Sequence, residues 1–408
     1  MQDTRHRIIV LGAGYTGAVA AGRIAKRLRR EDVAITLVNA EPDFVERVRM
    51  HQLAAGQELK TRPFERMFAG TGVEVRLARV TAVDVDRKTV TVTRTGADAA
   101  DARTELSYDT LVYALGSQWA DHGVPGVAEH AHEVASRPGA LRLRERLAGL
   151  RAGEPVVVVG GGLTGIEAAT EIAEARPDLD VALVVRGAFG DWLSDKGRAH
   201  LRGAADRLGI TVHENTEVTE VGADRIRTAR TTGTDGDGAE APVSASVPAA
   251  VTVWTTGFAV HPVAKATTLE VTETGQIAVD RTMRSRSHPD VYAIGDAAFA
   301  IGDADKPLRM SCASGVPMAW QAADALAARL SGTKVPTVGL RYFHQCISLG
   351  RGDGLIQYVT ADDTAVRSAL TGRTAALYKE LICKAAAWSV AHPTLGMPAR
   401  RRGAARQP

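Results

Sequence analysis

The 408 residues are 45% hydrophobic and 24% charged, ordinary for a soluble globular chain and long enough for two or three domains with cores of their own. A formal net charge of +3 is too small a surplus to argue for nucleic acid as a partner. Three scattered cysteines, Cys312, Cys346 and Cys383, give neither metal-ligand spacing nor a disulfide framework and suit a reducing cytoplasm, and no apolar run reaches the roughly 18 residues of a membrane span.

Taken in chain order, Arg7 to Leu11 is a continuous apolar run that reads as a buried parallel strand. It ends in Gly12-Ala13-Gly14-Tyr15-Thr16-Gly17, followed by helical spacing over Thr16 to Arg30 and a second apolar run at Ile35 to Val38. In such a unit the first glycine makes the tight turn, the second lets backbone approach a pyrophosphate, and the third lets helix and strand pack. The free N–H groups of the helix start, at Tyr15 and Thr16, then face the phosphates. Asn39 and Ala40 stand where an acidic residue usually binds the ribose; Asn39 has hydrogen-bonding capacity for that task, and Glu41 is the alternative.

Val73 to Asp86 and Lys88 to Thr93 read as a small antiparallel meander, and Thr95 to Arg103 and Thr231 to Ala241 as surface loops. Thr110 to Gly116 is an apolar strand ending in a glycine turn, and Val251 to Gly257 repeats that form; each is either a crossover between domains or an ordinary strand followed by a turn. Between them the first pattern recurs: a strand at Val156 to Val159, then Gly160-Gly161-Gly162-Leu163-Thr164-Gly165, a helix from Thr164 to about Ala175, and a strand at Val181 to Val185. The second strand ends at Val185 and Arg186 with no carboxylate. Arg186 is compatible with the 2′-phosphate of NADPH, or is a solvated surface residue. Further on, the apolar run Val291 to Ile294 delivers Gly295 and Asp296 to a loop.

From Thr374 to Val390, Leu377, Leu381, Ile382, Ala385 and Trp388 fall near one helical face, with Lys379, Glu380 and Lys384 elsewhere. Arg400, Arg401, Arg402 and Arg406 follow. Such a helix either lies on an anionic membrane surface or packs on the body or in a homodimer interface.

In order and context, these motifs resemble the two-dinucleotide-binding-domain flavoproteins, which include ferredoxin reductases, apoptosis-inducing-factor-like proteins and type II NADH dehydrogenases. The resemblance covers residues 8 to about 325. It implies an α/β fold with two Rossmann-like domains and a small C-terminal α/β domain. The expected boundaries are 1–117 and 256–330 for FAD, 118–255 for NADH or NADPH, and 331–408 for the C-terminal unit. Gly12, Gly14 and Gly17 are then expected to bind FAD, with Asp296 and Gly295 at its ribityl chain and Ala114, Gly116 and Gly257 at the crossovers. Gly160, Gly162, Thr164 and Gly165 are expected at the nicotinamide cofactor. Thiol chemistry is disfavoured, since the redox-active cysteine pair of the disulfide reductases is absent.

Gly162 to Glu171 looks most like the type II NADH dehydrogenase segment, where a glutamate at the place of Glu167 lies near the nicotinamide and flavin rings. A partly buried carboxylate there, on the first turn of the helix, is expected to relay a proton; the alternative is a glutamate that serves the helix dipole or the surface. Arg49 and His51, in Arg49-Met50-His51-Gln52, pass near the flavin in similar proteins, and His51 is a second candidate for proton delivery. The departure lies at Ser311 to Ala319, where the Ala-Gln motif of those enzymes is absent; a helix opening near Val316 or Pro317 would still aim its N-terminus at the flavin. The expected activity is hydride transfer from NAD(P)H to FAD and electron transfer to a second small-molecule acceptor, with a quinone first. The expected place is the cytoplasm, peripheral on the inner face of the membrane where the C-terminal helix contacts lipid. A biosynthetic flavoenzyme acting on a small organic substrate and a non-catalytic flavin-binding redox sensor are the alternatives.

Overall fold

The computed structural model describes residues 4–95, 103–230, 244–392 and Gly403. The 231–241 stretch, nearly all of the 95–103 stretch, and the four arginines from 400 onward lie outside the described residues.

His6–Leu11 pairs in parallel with Val33–Asn39, from His6 opposite Val33 to Leu11 opposite Val38. Ile8 to Leu11 are buried on both faces, which is why the run does not alternate. The connecting helix, Tyr15–Arg27, stops three residues short of the expected end; Leu28 is already extended and the chain turns through Arg29 to Asp32. The sheet continues through Thr110–Tyr113 and Val291–Ala293 on one side and Val73–Asp84, Thr89–Arg94 and Arg103–Ser107 on the other. The meander is thus not a separate unit: residues 73–77 pair in parallel with 35–39, and the rest of the same strand turns antiparallel. Arg103, expected in a loop, begins its third strand.

A second sheet has the order Thr211–His213, Asp180–Val184, Pro155–Val159, Val251–Trp254, Ala131–His132, all parallel. In each sheet the chain leaves its glycine-motif strand toward one side and returns on the other. Thr110–Tyr113 lies across from Val33–Asn39, and Val251–Trp254 across from Asp180–Val184. Reversal of strand order opens a crevice at the carboxyl ends, and both glycine loops stand there. The C-terminal part is an antiparallel sheet of His344–Ser348, Gly354–Val359 and Ala365–Thr371, with the helix Arg373–Ala391 against it.

The helix Cys312–Leu330 packs along Tyr15–Arg27, fastened by Asp324, which is 7% exposed and takes Arg23 at 2.6 Å and Arg27 at 3.0 Å. It begins at Cys312, earlier than Val316 or Pro317, because Ser311 caps it by accepting from the Ser314 N–H. Pro317 therefore sits inside the helix, where its ring nitrogen removes the ladder bond to the Ala313 carbonyl.

Candidate active site

The two glycine loops are built alike. Gly12 has φ +89° and Gly160 φ +118°, a region that strains other residues. A Cβ at Gly12 would overlap the Ala114 carbonyl, and one at Gly160 would come within 2.7 Å of Thr255 Oγ1. The third glycines, Gly17 and Gly165, press on the carbonyls of Gly12 and Gly160 so closely that a methyl group would overlap them. The second glycines are different: a Cβ at Gly14 or Gly162 meets nothing within 4 Å. Each loop thus spends its first and third glycines on packing and turns the second toward open space at a helix N-terminus, the arrangement a pyrophosphate needs.

Both loops open into one cavity of about 1820 Å³. Tyr15, Thr16, Asn39, Ala114, Gly116, Thr164, Arg186, Gly257, Gly295, Asp296, Val316 and Pro317 line it with the open glycines, as do His51 and Glu167. Gly17, Gly165, Ala40 and Arg49 are not among the residues that line it. The Ala40 carbonyl accepts from Thr95 Oγ1, and the Arg49 guanidinium is held by Glu46 at 3.2 Å, Glu380 at 3.0 Å and Gln52 at 3.1 Å.

At the first cradle Asn39 is already occupied. Its Oδ1 accepts from the Ala13 N–H at 2.9 Å and its Nδ2 donates to the Glu41 carbonyl, so it ties the glycine loop in place. Glu41 is exposed and lines the cavity. Asp296 accepts from Ser117 Oγ at 2.6 Å and faces Arg47 at 3.8 Å. Arg47 stacks on Phe258 and keeps a buried Nη2 without a partner. Together with the unpartnered Tyr15 hydroxyl, that leaves buried polar atoms in the wall that a bound phosphate or polyol chain would satisfy. The residues present therefore fit FAD in this cradle. No sequence motif marked Arg47 or Ser117; only the fold brings them to Asp296.

Below the point where the cradles meet lies a buried charged cluster. Glu167 is on the second turn of Leu163–Ala175, not the first. Its Oε1 accepts from the Ser348 N–H at 3.0 Å and touches Lys379 Nζ; its Oε2 is 3.9 Å from His51 Nδ1. Lys379 also donates to the Cys346 carbonyl. Burial pulls its ammonium down to about 8. Burial, then Lys379, Arg49 and Arg351, hold His51 well below its usual range, so its ring is neutral at pH 7, and its Nε2 has no partner. Sequence reasoning missed Lys379 because a lysine on an amphipathic helix is ordinarily solvated.

One turn beyond Glu167, Glu171 is 2% exposed; Gln57 donates to its Oε1, and its Oε2 is unpartnered. Burial pushes its carboxyl from 4.5 up to about 7. The folded protein then holds a proton that the unfolded chain releases, and stability falls as pH rises through that window. Glu171→Gln keeps the bond to Gln57 without the charge. It is expected to raise the thermal midpoint at pH 8, by up to about 3 kcal/mol in stability, and to leave it unchanged at about pH 3, well below the ordinary value of 4.5, where the glutamate is neutral folded and unfolded.

All three cysteines converge on this cavity from three elements: Cys312 exposed to it, Cys346 half-buried, Cys383 buried. Desolvation by the protein atoms crowded around them raises each thiol, Cys346 to about 12, which keeps them protonated and poorly nucleophilic. Toward the C-terminal part the lining turns apolar and aromatic, with Trp320, Phe343 and Ile382.

A family model described as pyridine nucleotide-disulphide oxidoreductase matches residues 6–327. The chain belongs to this family. Among relatives of this oxidoreductase, an NADH dehydrogenase-like protein of Mycobacterium tuberculosis is 31% identical over 333 residues, 76% of this chain and 78% of its own. A type II NADH:quinone oxidoreductase of Staphylococcus epidermidis is 24% identical, covering 94% and 95%. Of solved structures, NDH2 from Plasmodium falciparum in complex with NADH superposes with TM-score 0.78 over 96% of this chain and 97% of that one, at 13% identity, and so shares the fold.

Proposed function

We propose that this oxidoreductase takes hydride from NAD(P)H onto FAD and passes the electrons to a quinone. The observation that carries the proposal is that two dinucleotide cradles open into one cavity with an apolar far wall. Relatives named as quinone oxidoreductases and demethylphylloquinone reductase support the choice of acceptor. FAD, when bound, supplies the two-electron acceptor that mediates between nicotinamide and quinone.

The chain's own residues do the rest. The N–H groups at Tyr15 and Thr16 and those at Leu163 and Thr164 hold the two pyrophosphates, and Glu41 takes the adenosine ribose of the first cradle. Asp296, fixed by Ser117, accepts from the ribityl hydroxyls, with Arg47 beside it. Quinone reduction consumes protons; Lys379 Nζ holds a buried one, and the Glu167 carboxylate and the neutral His51 ring beside it are the groups that relay it. The domain reading follows: 1–117 and 256–330 carry FAD, 118–255 the nicotinamide cofactor and 331–408 the surface contact. Steady-state reduction of a water-soluble quinone by NAD(P)H tests the function. Ping-pong kinetics are expected, and absence of quinone turnover in protein that carries FAD would overturn the acceptor.

No helix among the described residues is long and apolar enough to cross a membrane. On the helix Arg373–Ala391, however, Leu377 is 72%, Leu381 64% and Trp388 50% exposed, and Phe343 nearby is 60% exposed. This apolar face adjoins the cavity wall at Ile382, so lying on a membrane surface would bring a lipid-soluble quinone to the mouth. Replacing both Leu377 and Leu381 by glutamate is expected to cut co-sedimentation with anionic lipid vesicles about tenfold or more while leaving reduction of a water-soluble quinone intact.

A further inference from the structure

The two dinucleotide cradles differ in charge in the segments just past their corresponding second strands. In a Rossmann unit the residue that ends the second strand sits beside the adenosine ribose; a carboxylate there suits a 2′-hydroxyl and an arginine suits a 2′-phosphate. The first cradle has Glu41 and Asp43 on the cavity wall just past Val33–Asn39, acids matched to the unphosphorylated ribose of FAD. The second has Val185, Arg186 and Gly187 just past Asp180–Val184, with no acid among them.

Local packing fixes this segment. Val185 is buried against the glycine loop, close enough that a Cβ at Gly161 would lie 2.6 Å from its Cγ1. Its N–H donates to the His213 carbonyl at 2.9 Å, and its carbonyl accepts from the Thr216 N–H at 3.0 Å. A backbone pinned on both sides leaves Arg186 exposed on the cavity wall beside the phosphate loop. The acids on the wall in this half, among the described residues, are Glu167, held by Lys379, and Glu217 on the neighbouring strand. A guanidinium offers planar paired donors to a phosphate and no acceptor to a ribose hydroxyl.

We infer that Arg186 forms a phosphate subsite that selects a 2′-phosphorylated adenosine, so that the donor of this protein is NADPH in preference to NADH. The inference rests on the reading that the second cradle takes a nicotinamide dinucleotide. The test is isothermal titration of FAD-loaded protein with adenosine 2′,5′-bisphosphate, adenosine 3′,5′-bisphosphate and 5′-AMP. The 2′,5′ compound is expected to bind about tenfold or more tightly than the other two. Arg186→Ala should erase that advantage and leave 5′-AMP binding unchanged. Equal affinity for 2′,5′-bisphosphate and 5′-AMP, or equal gains for both bisphosphates, would overturn the subsite and leave the cradle reading standing. Binding of none of the three would overturn both.

Discussion

Gly17→Val is expected to yield protein that carries no flavin. A side chain at residue 17 overlaps the Gly12 carbonyl and reaches toward Ala114 Cβ at 3.3 Å, so the helix Tyr15–Arg27 must move off its strand. Overpacking of this kind costs about 1–3 kcal/mol, and the displaced helix carries with it the N–H groups that bind phosphate. Gly14→Val separates the two effects. Its Cβ meets nothing in the protein and fills the space a pyrophosphate would occupy. That variant is expected to keep its thermal midpoint as the flavin-free polypeptide and still lose FAD, whereas Gly17→Val loses both. The ratio of flavin to protein absorbance after purification, with unfolding followed on flavin-stripped samples, distinguishes them.

Glu167→Gln is expected to have the largest kinetic effect. The amide still accepts from the Ser348 N–H, so the backbone contact survives, but the charge facing Lys379 is gone. Lys379 then sits buried without its counter-charge, and its pKa falls further below the present value of about 8. If this cluster supplies protons for quinone reduction, re-oxidation of reduced enzyme by quinone slows by about a hundredfold or more, while flavin reduction by NAD(P)H changes little. The pH profile gives the sign. In the native protein Lys379 is protonated below about 8, so the quinone step falls as pH rises through that value. In Glu167→Gln the same fall occurs at lower pH. A purely structural role for Glu167 would lower both half-reactions together and leave the profile in place.

What the sequence disclosed follows from where the information is local. Two strand–glycine–helix units are legible because turn chemistry and a continuous apolar run occupy adjacent residues, and the returning strands at 110–113 and 251–254 announce themselves by the same run-then-glycine form. The helix start at Cys312 was obscured by Pro317, which reads as a first-turn proline; the capping bond from Ser314 to Ser311 was the better signal. The C-terminal helix was hardest. Its large apolar side chains, Leu377, Leu381 and Trp388, define a face that sequence alone can assign to core or to membrane. The face that packs on the body is the inconspicuous Ala375, Lys379, Cys383, Ala387 and Val390. Small residues let the helix approach closely, and that approach buries Lys379 against Glu167, 212 positions earlier (379 − 167). Arg47, Ser117 and Asp296 likewise come together only by folding, since they sit on three short elements far apart in the chain.

Sequential anaerobic mixing tests the central claim most directly. Protein carrying FAD is mixed first with NADPH or NADH and then with a quinone, and the visible absorbance of the oxidised flavin is followed throughout. The account predicts rapid bleaching by the nucleotide, faster with NADPH, and full recovery of the band on mixing with quinone. A flavin that stays oxidised with both nucleotides, or that stays bleached in the presence of quinone, would contradict it.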